Sequence, residues 1–225
     1  MNPKDILFDI IHHEHGIVFE INQIEECILI LNSMYRDRAK LNFSDYTSFF
    51  AFIEKTLIEK VLLSLSKIYD QYSAKKEGVR SLRHLNELLK NTPELHKSIS
   101  TFSFKLGEEN EKFFKGLSVE EFNSTEKLSK LISNTNPLHN IDLKDKLTNL
   151  RNQYLAHNQQ GYTINNSDSI YWNEFDELIN FAKDCLNTVS SLYLNKPCYF
   201  DNKFIKMYSI EETEYCFEEL KKLIK

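Results

Sequence analysis

Helix breakers are scarce in this chain, with 5 glycines and 4 prolines in 225 residues, and that scarcity favours long helices. Positive charge is not in excess either. The formal net charge is -5, so the surface as a whole does not attract a polyanion, and any nucleic-acid contact requires a local basic patch. The four cysteines (Cys27, Cys185, Cys198 and Cys216) are far apart and form neither a CxxC pair nor a Cys/His pairing at zinc spacing. Reduced thiols in a cytoplasmic protein are the expectation. A long uncharged apolar run is missing too: Phe49 to Leu65, the most apolar stretch, is interrupted by Glu54, Lys55, Glu59 and Lys60, short of the roughly 18 residues a spanning helix needs. The first residues, MNPKDILFDIIHHEHG, carry acids and histidines where a signal peptide has a basic start and an apolar core. No membrane span and no secretion are expected.

What is present is helical periodicity. Hydrophobic residues make up 41% and charged residues 27%, ordinary for a globular protein, and the length suits a single domain over 1–225. Leu7, Ile10, Ile17, Ile21, Ile24, Ile28, Leu31 and Tyr35 recur at steps of three, four or seven and predict one long first helix ending near Arg36. A broader stripe from Tyr46 through Phe50, Ile53, Leu57, Val61 and Leu65 to Ile68, widened by Phe49, Ile58, Leu62 and Tyr69, predicts a central helix. Leu82, Leu85, Leu88 and Leu89 mark a shorter one, and Thr92-Pro93 is read as capping and starting the next.

Residues 95–135 are less regular and read as an inserted, more mobile subregion, with a helix opening at the Ser118/Glu121 capping box. A helix from about Ile141 presents Leu143, Leu147, Leu150 and Tyr154, and another carries Phe175, Leu178, Ile179, Ala182, Leu186, Val189 and Leu192 and stops before Pro197. Residues 196–225 form a C-terminal extension whose final helix opens at the Ser209/Glu212 capping box. The expected fold is all-α, a bundle of about four long helices with shorter additions.

The stretch LRNQYLAHNQQG, residues 150–161, places Arg151 and His157 on the last turns of a helix. At about 100° per residue His157 lies about 20° from Leu150 on the apolar stripe, and Arg151 lies about 40° from Leu147. The bland reading of His157 is a core or helix-end histidine favoured by the negative end of the helix dipole. Arg151 is harder to explain, because its neighbours three and four residues away (Leu147, Thr148, Tyr154 and Leu155) include no acid. It needs a partner, either a carboxylate from another helix or a phosphate from outside.

Arg151-Asn152, four further residues and His157 resemble the signature of the HEPN superfamily, an arginine followed by a polar residue and then a histidine near a helix end. The stretch SFFAFIEKTLIEKVLLSLSKIYD, with its terminal Tyr69-Asp70 pair, and the following SLRHLNELL are similar to the early helices of the AbiU-like, abortive-infection branch, and RNQYLAHN is similar to that branch's motif. The resemblance spans residues 46–90 and 140–195. It implies a HEPN-like helical bundle that forms a homodimer, joins two motifs in one cleft and cuts RNA (a tRNA or mRNA) without metal or cofactor, as a toxin or phage-defence protein with a possible antitoxin partner.

Arg151, Asn152 and His157 are then the catalytic residues. Lys144 and Lys146 supply substrate binding in a segment, 140–160, whose three cations against Asp142 and Asp145 leave a local +1. A histidine that titrates near neutrality can move the protons, and an arginine can hold the phosphate and its developing charge. A straight helix sets Arg151 and His157 about 120° apart, which is the physical reason for expecting a second chain or a distorted helix end. Some HEPN toxins carry a nucleotide-modified tyrosine two residues after the histidine; Gln159 stands there, so that regulation is not expected.

Other constellations read more plainly. His12, His13, Glu14 and His15 lack the HExxH spacing and are taken as a solvated polar patch rather than a metal site. Arg80, Arg83 and His84 are read as solvated helix charge. The alternative to a ribonuclease is a catalytically inert HEPN-type bundle that only dimerises or binds a partner.

Overall fold

The computed structural model describes residues 2–37, 47–70, 79–93, 95, 124–155, 170–194 and 198. Its helices are α1 (Pro3–His12), α2 (Ile17–Asp37), α3 (Thr47–Ile68), α4 (Leu82–Asn91), α5 (Thr125–Thr135), α6 (Ile141–Leu155) and α7 (Trp172–Val189). A 3-10 turn, Pro137–His139, precedes α6, and a π-wound turn, Ser190–Leu194, continues α7. No strand occurs among the described residues. The expected all-α bundle is the observed one.

Helix starts follow side-chain chemistry. The Asn2 carboxamide accepts from the Lys4 amide at 3.0 Å with Pro3 in the first turn. Ser81 caps α4 through the His84 amide, and Ser124 caps α5 through the Lys127 amide, each at 3.3 Å. The Ser118/Glu121 and Ser209/Glu212 capping boxes lie outside the described residues, as does nearly all of the 196–225 extension. Within the 95–135 subregion, the described part of α5 buries Leu128 and Ile132 and packs against α4.

The first helix departs from expectation. Leu7 to Tyr35 is not one helix but two, α1 and α2, parted at His13–Gly16. The Gly16 amide donates to the His13 carbonyl at 2.7 Å, and a Cβ on Gly16 would sit 2.8 Å from the Ile11 carbonyl oxygen and 2.9 Å from the His13 nitrogen. Backbone atoms that close leave room for glycine alone. The apolar stripe gives no hint of this break, because Leu7 and Ile10 on one side and Ile17, Ile21 and Ile24 on the other all enter the same core.

That core is one continuous cluster drawing on all seven helices. α2 lies along α3, α3 meets α6, α4 meets α5, and α2 also touches α7. Leu143, Leu147 and Leu150 are buried in it, at 2%, 5% and 8% exposure. Among the described residues one acid sits inside the bundle: Glu20, 4% exposed, accepts from Ser64 Oγ at 2.7 Å and from Lys67 Nζ at 2.6 Å, joining α2 to α3. Lys183 on α7 reaches Glu25 on α2. Among the described residues no helix is long and apolar enough to cross a membrane.

Candidate functional site

A cleft of about 310 Å³ opens between the C-terminal end of α3 and one face of α6. Its walls are Ser66, Tyr69 and Asp70 from α3 and the residues just after it, Leu138 from the 3-10 turn, and Lys144, Leu147, Thr148 and Arg151 from α6. The α6 residues stand at i, i+3, i+4 and i+7, a single helical face. On the α3 side the geometry is fixed by Tyr69, whose hydroxyl donates to the Leu178 carbonyl of α7 at 2.7 Å. Burial pushes the Tyr69 phenol well above its ordinary pKa, with the nearby Cys185 and Glu177 adding to the effect, so it remains a donor.

Arg151 has little to hold it. Its Nε is buried with no hydrogen-bond partner, and its Nη2 reaches only the neighbouring Asn152 Oδ1, at 3.4 Å. Among the described residues no carboxylate lies within ion-pair distance of it. A guanidinium edge without an acceptor carries a desolvation cost of about 1–3 kcal/mol. Placed in a cleft beside an exposed lysine, Lys144, such a group is suited to an anion with two or more acceptor oxygens. Asn152 is exposed next to it. His157 lies outside the described residues.

The two lysines of the expected basic patch do not share a face. Lys146 turns toward α7, where Nζ meets Asp142 Oδ2 at 2.8 Å and Glu174 Oε1 at 3.2 Å and stands 5.7 Å from the centre of the Tyr171 ring. Hydrogen bonds donated to Asp142 first and Glu174 second raise its pKa. Arg80 and His84, read from the sequence as solvated helix charge, are engaged as well, while Arg83 is exposed. Arg80 makes a two-pronged contact with Asp9, Nε–Oδ2 at 3.0 Å and Nη2–Oδ1 at 3.1 Å, so it ties the start of α4 to α1. His84 Nδ1 is 2.6 Å from the Val79 carbonyl.

The histidine-rich turn splits its members: His12 Nε2 bonds Ser190 Oγ at 2.7 Å on the π-wound turn, while His13 Nε2 faces Asp9 at 3.9 Å. Among the described residues no three His, Cys, Asp or Glu groups gather as a metal set.

Ser66 and Asp70 were not legible as cleft residues from the sequence. The available signal was the Tyr69-Asp70 pair at the end of an apolar stripe, a polar residue forced outward where the helix stops. Glu20 was equally hidden, although its place between Ile17, Ile21 and Ile24 on one helical face predicts an inward acid.

The HEPN_AbiU2 family model, described as AbiU2, matches residues 12–215. No curated protein and no solved structure matches the chain. The family match takes in both walls of the cleft and the whole Arg151-to-His157 segment, and the chain belongs to the AbiU2 family of the HEPN superfamily.

Proposed function

We infer that this chain is a metal-independent endoribonuclease of toxin or phage-defence, abortive-infection type, with Arg151, Asn152 and His157 as its catalytic residues and Lys144 as a phosphate contact. The observation that carries the reading is the buried, unpartnered Nε of Arg151 in a cleft it shares with Lys144. An arginine whose Nε has no protein acceptor suits a phosphate better than it suits a fold. Lys146, already bonded to Asp142 and Glu174, is left out of the site.

In this reading Arg151 offsets charge on the phosphorane-like transition state, and His157 serves in proton transfer to or from the ribose 2'-hydroxyl or the leaving oxygen. The 2'-oxygen attacks phosphorus, the bond to the 5'-oxygen breaks, and the 5'-oxygen leaves protonated. Products are a 2',3'-cyclic phosphate and a 5'-hydroxyl. Two chains bring two motifs together. Because Leu143, Leu147 and Leu150 are spent in the chain's own core, the contact between chains uses other residues than that stripe.

The test is cleavage of total cellular RNA by the purified chain in EDTA, with end-group analysis, alongside growth of cells expressing it. Cleavage that persists in EDTA, leaves cyclic phosphate ends and vanishes in Arg151→Ala and His157→Ala supports the reading. Cleavage that needs magnesium or manganese, or that survives either substitution in full, overturns it. The inert HEPN-type bundle, toward which the net charge of -5 leans, is the reading that stands if no RNA is cut and growth is unaffected.

A further inference from the structure

The two cations of the cleft share a face of α6 but not a point on it. Lys144 and Arg151 are seven residues apart, about 20° short of two full turns, so they line up with about 10.5 Å between them along the helix axis. Long side chains can close such a gap, yet the guanidinium is held at its own turn. Its Nε is buried, and its Nη2 is drawn to Oδ1 of the following residue, Asn152, at 3.4 Å. Lys144 is exposed, and no carboxylate of the described residues pairs with it. Asp142 is taken by Lys146, and Asp70 on the facing wall has an interaction of its own.

The span between the cations is neutral. Leu147 is buried there, and Thr148 Oγ1 spends its proton on the Lys144 carbonyl at 2.9 Å, as Ser66 Oγ across the cleft spends its own on the Leu62 carbonyl at 2.7 Å. Cation, neutral span, cation is the pattern that suits a polyanion whose charges recur along a chain. Resting on the reading of Arg151 as the contact for the scissile phosphate, we propose that Lys144 holds a second phosphate of the same strand, with the linkage between the two phosphates lying over Leu147 and Thr148. The substrate then needs a backbone phosphate besides the one that is cut, and the rise of α6 sets the register between them. Each side chain suits its place: lysine is a mobile point charge that follows a phosphate without orienting it, and the planar guanidinium orients the group that reacts.

The test is equilibrium binding of a short fluorescent single-stranded RNA of mixed sequence, in EDTA and over a series of salt concentrations. The protein is the full chain carrying His157→Ala, which prevents turnover, with Lys144→Ala, Arg151→Ala or both added. Each phosphate neutralised on a single strand adds about 0.7 to the slope of log affinity against log salt, so each substitution is expected to lower the slope by about 0.7 and the pair by about 1.4. Affinity losses of about threefold or more for each substitution are expected to multiply in the pair, to within about twofold. Lys130→Ala, which removes an exposed lysine of α5 outside the cleft, is expected to leave the slope unchanged.

If the single substitutions leave the slope in place and only the pair lowers it, by about 0.7, both cations hold one phosphate and the proposal is overturned. A slope that falls as far with Lys130→Ala as with Lys144→Ala overturns it too, because the effect is then one of overall charge. Arg151→Ala separates the two levels of inference. If it lowers affinity and slope while Lys144→Ala changes neither, the Arg151 contact stands and the second-phosphate site is wrong. If Arg151→Ala changes neither, or the RNA does not bind even at the lowest salt, the phosphate contact is wrong and the Lys144 assignment falls with it.

Discussion

Replacing Arg151 with methionine should stabilise the folded chain while abolishing its activity. A structural arginine behaves in the opposite way, since truncating one partner of a buried ion pair costs about 3–5 kcal/mol. Arg151 has no such partner among the described residues, and its Nε is buried without an acceptor. Removing that edge recovers about 1–3 kcal/mol of desolvation, and methionine retains apolar stem volume against Leu147. Part of the gain is lost with the 3.4 Å contact to Asn152 and because the residue is only half-buried. A net gain of about 1 kcal/mol corresponds to a Tm increase of about 2–4 °C for a chain of this size. Thermal unfolding of the two proteins side by side, with RNA cleavage measured on the same samples, reads both effects. A Tm that falls by about 5 °C or more would show that Arg151 holds the fold together, and the argument for an offered guanidinium would be lost.

Glu20→Ala should cost about 2–3 kcal/mol in urea unfolding, because it strips the acceptor from Ser64 and the counter-charge from Lys67 at the α2–α3 seam; a loss under about 0.5 kcal/mol would show that the buried carboxylate is dispensable. Tyr69→Phe should cost about 1 kcal/mol by removing the hydroxyl's bond to the Leu178 carbonyl, which keeps its helical partner in α7, and it should weaken RNA binding through loss of definition in the cleft; unchanged stability would remove Tyr69 from its anchoring role. Burial first, partly offset by Lys60, pushes the Cys27 thiol up from 9.0 to about 11, and burial raises Cys185 and Tyr69 in the same direction. A folded pKa above the unfolded one means the stabilisation is complete below pH 9 and declines as pH rises from there toward 11. Denaturation midpoints should fall across that window, and Cys27→Ala should flatten the fall; a flat midpoint in the unsubstituted chain would contradict the burial of these groups.

The helical stripes were legible because burial leaves a period in the sequence. The described helices α2, α3, α4, α6 and α7 coincide with the apolar runs read at three- and four-residue steps, whereas α5 lies in the 95–135 stretch that showed no such stripe. Gly16 was not read as a break because the two helices it separates bury the same kind of residue in phase, so the pattern runs through the turn unchanged. The difference between Lys144 and Lys146 was within reach of arithmetic, since two residues turn a helix by about 200° and put them on opposite sides. Asp70 was out of reach, because its relation to Arg151 exists only where α3 crosses α6, and no local pattern records a contact between residues so far apart in the chain. The missing acid among the helical neighbours of Arg151 was the strongest local clue, although Asp70 of the α3 side lines the same cleft.

α6 serves two masters on adjoining faces, with Leu147 shared between them. Leu143, Leu147 and Leu150 are locked into the bundle, while Lys144, Thr148 and Arg151 look into the cleft. A side chain on such a helix inherits the stiffness of the interior: its backbone amides can exchange with solvent only through openings that also breach the bundle, which are the rarest the chain makes. The motif arginine is thus mounted on the fixed jaw of a vice. Any closing around a bound strand has to come from the other jaw, where the end of α3 is tied to α7 by a phenol-to-carbonyl link.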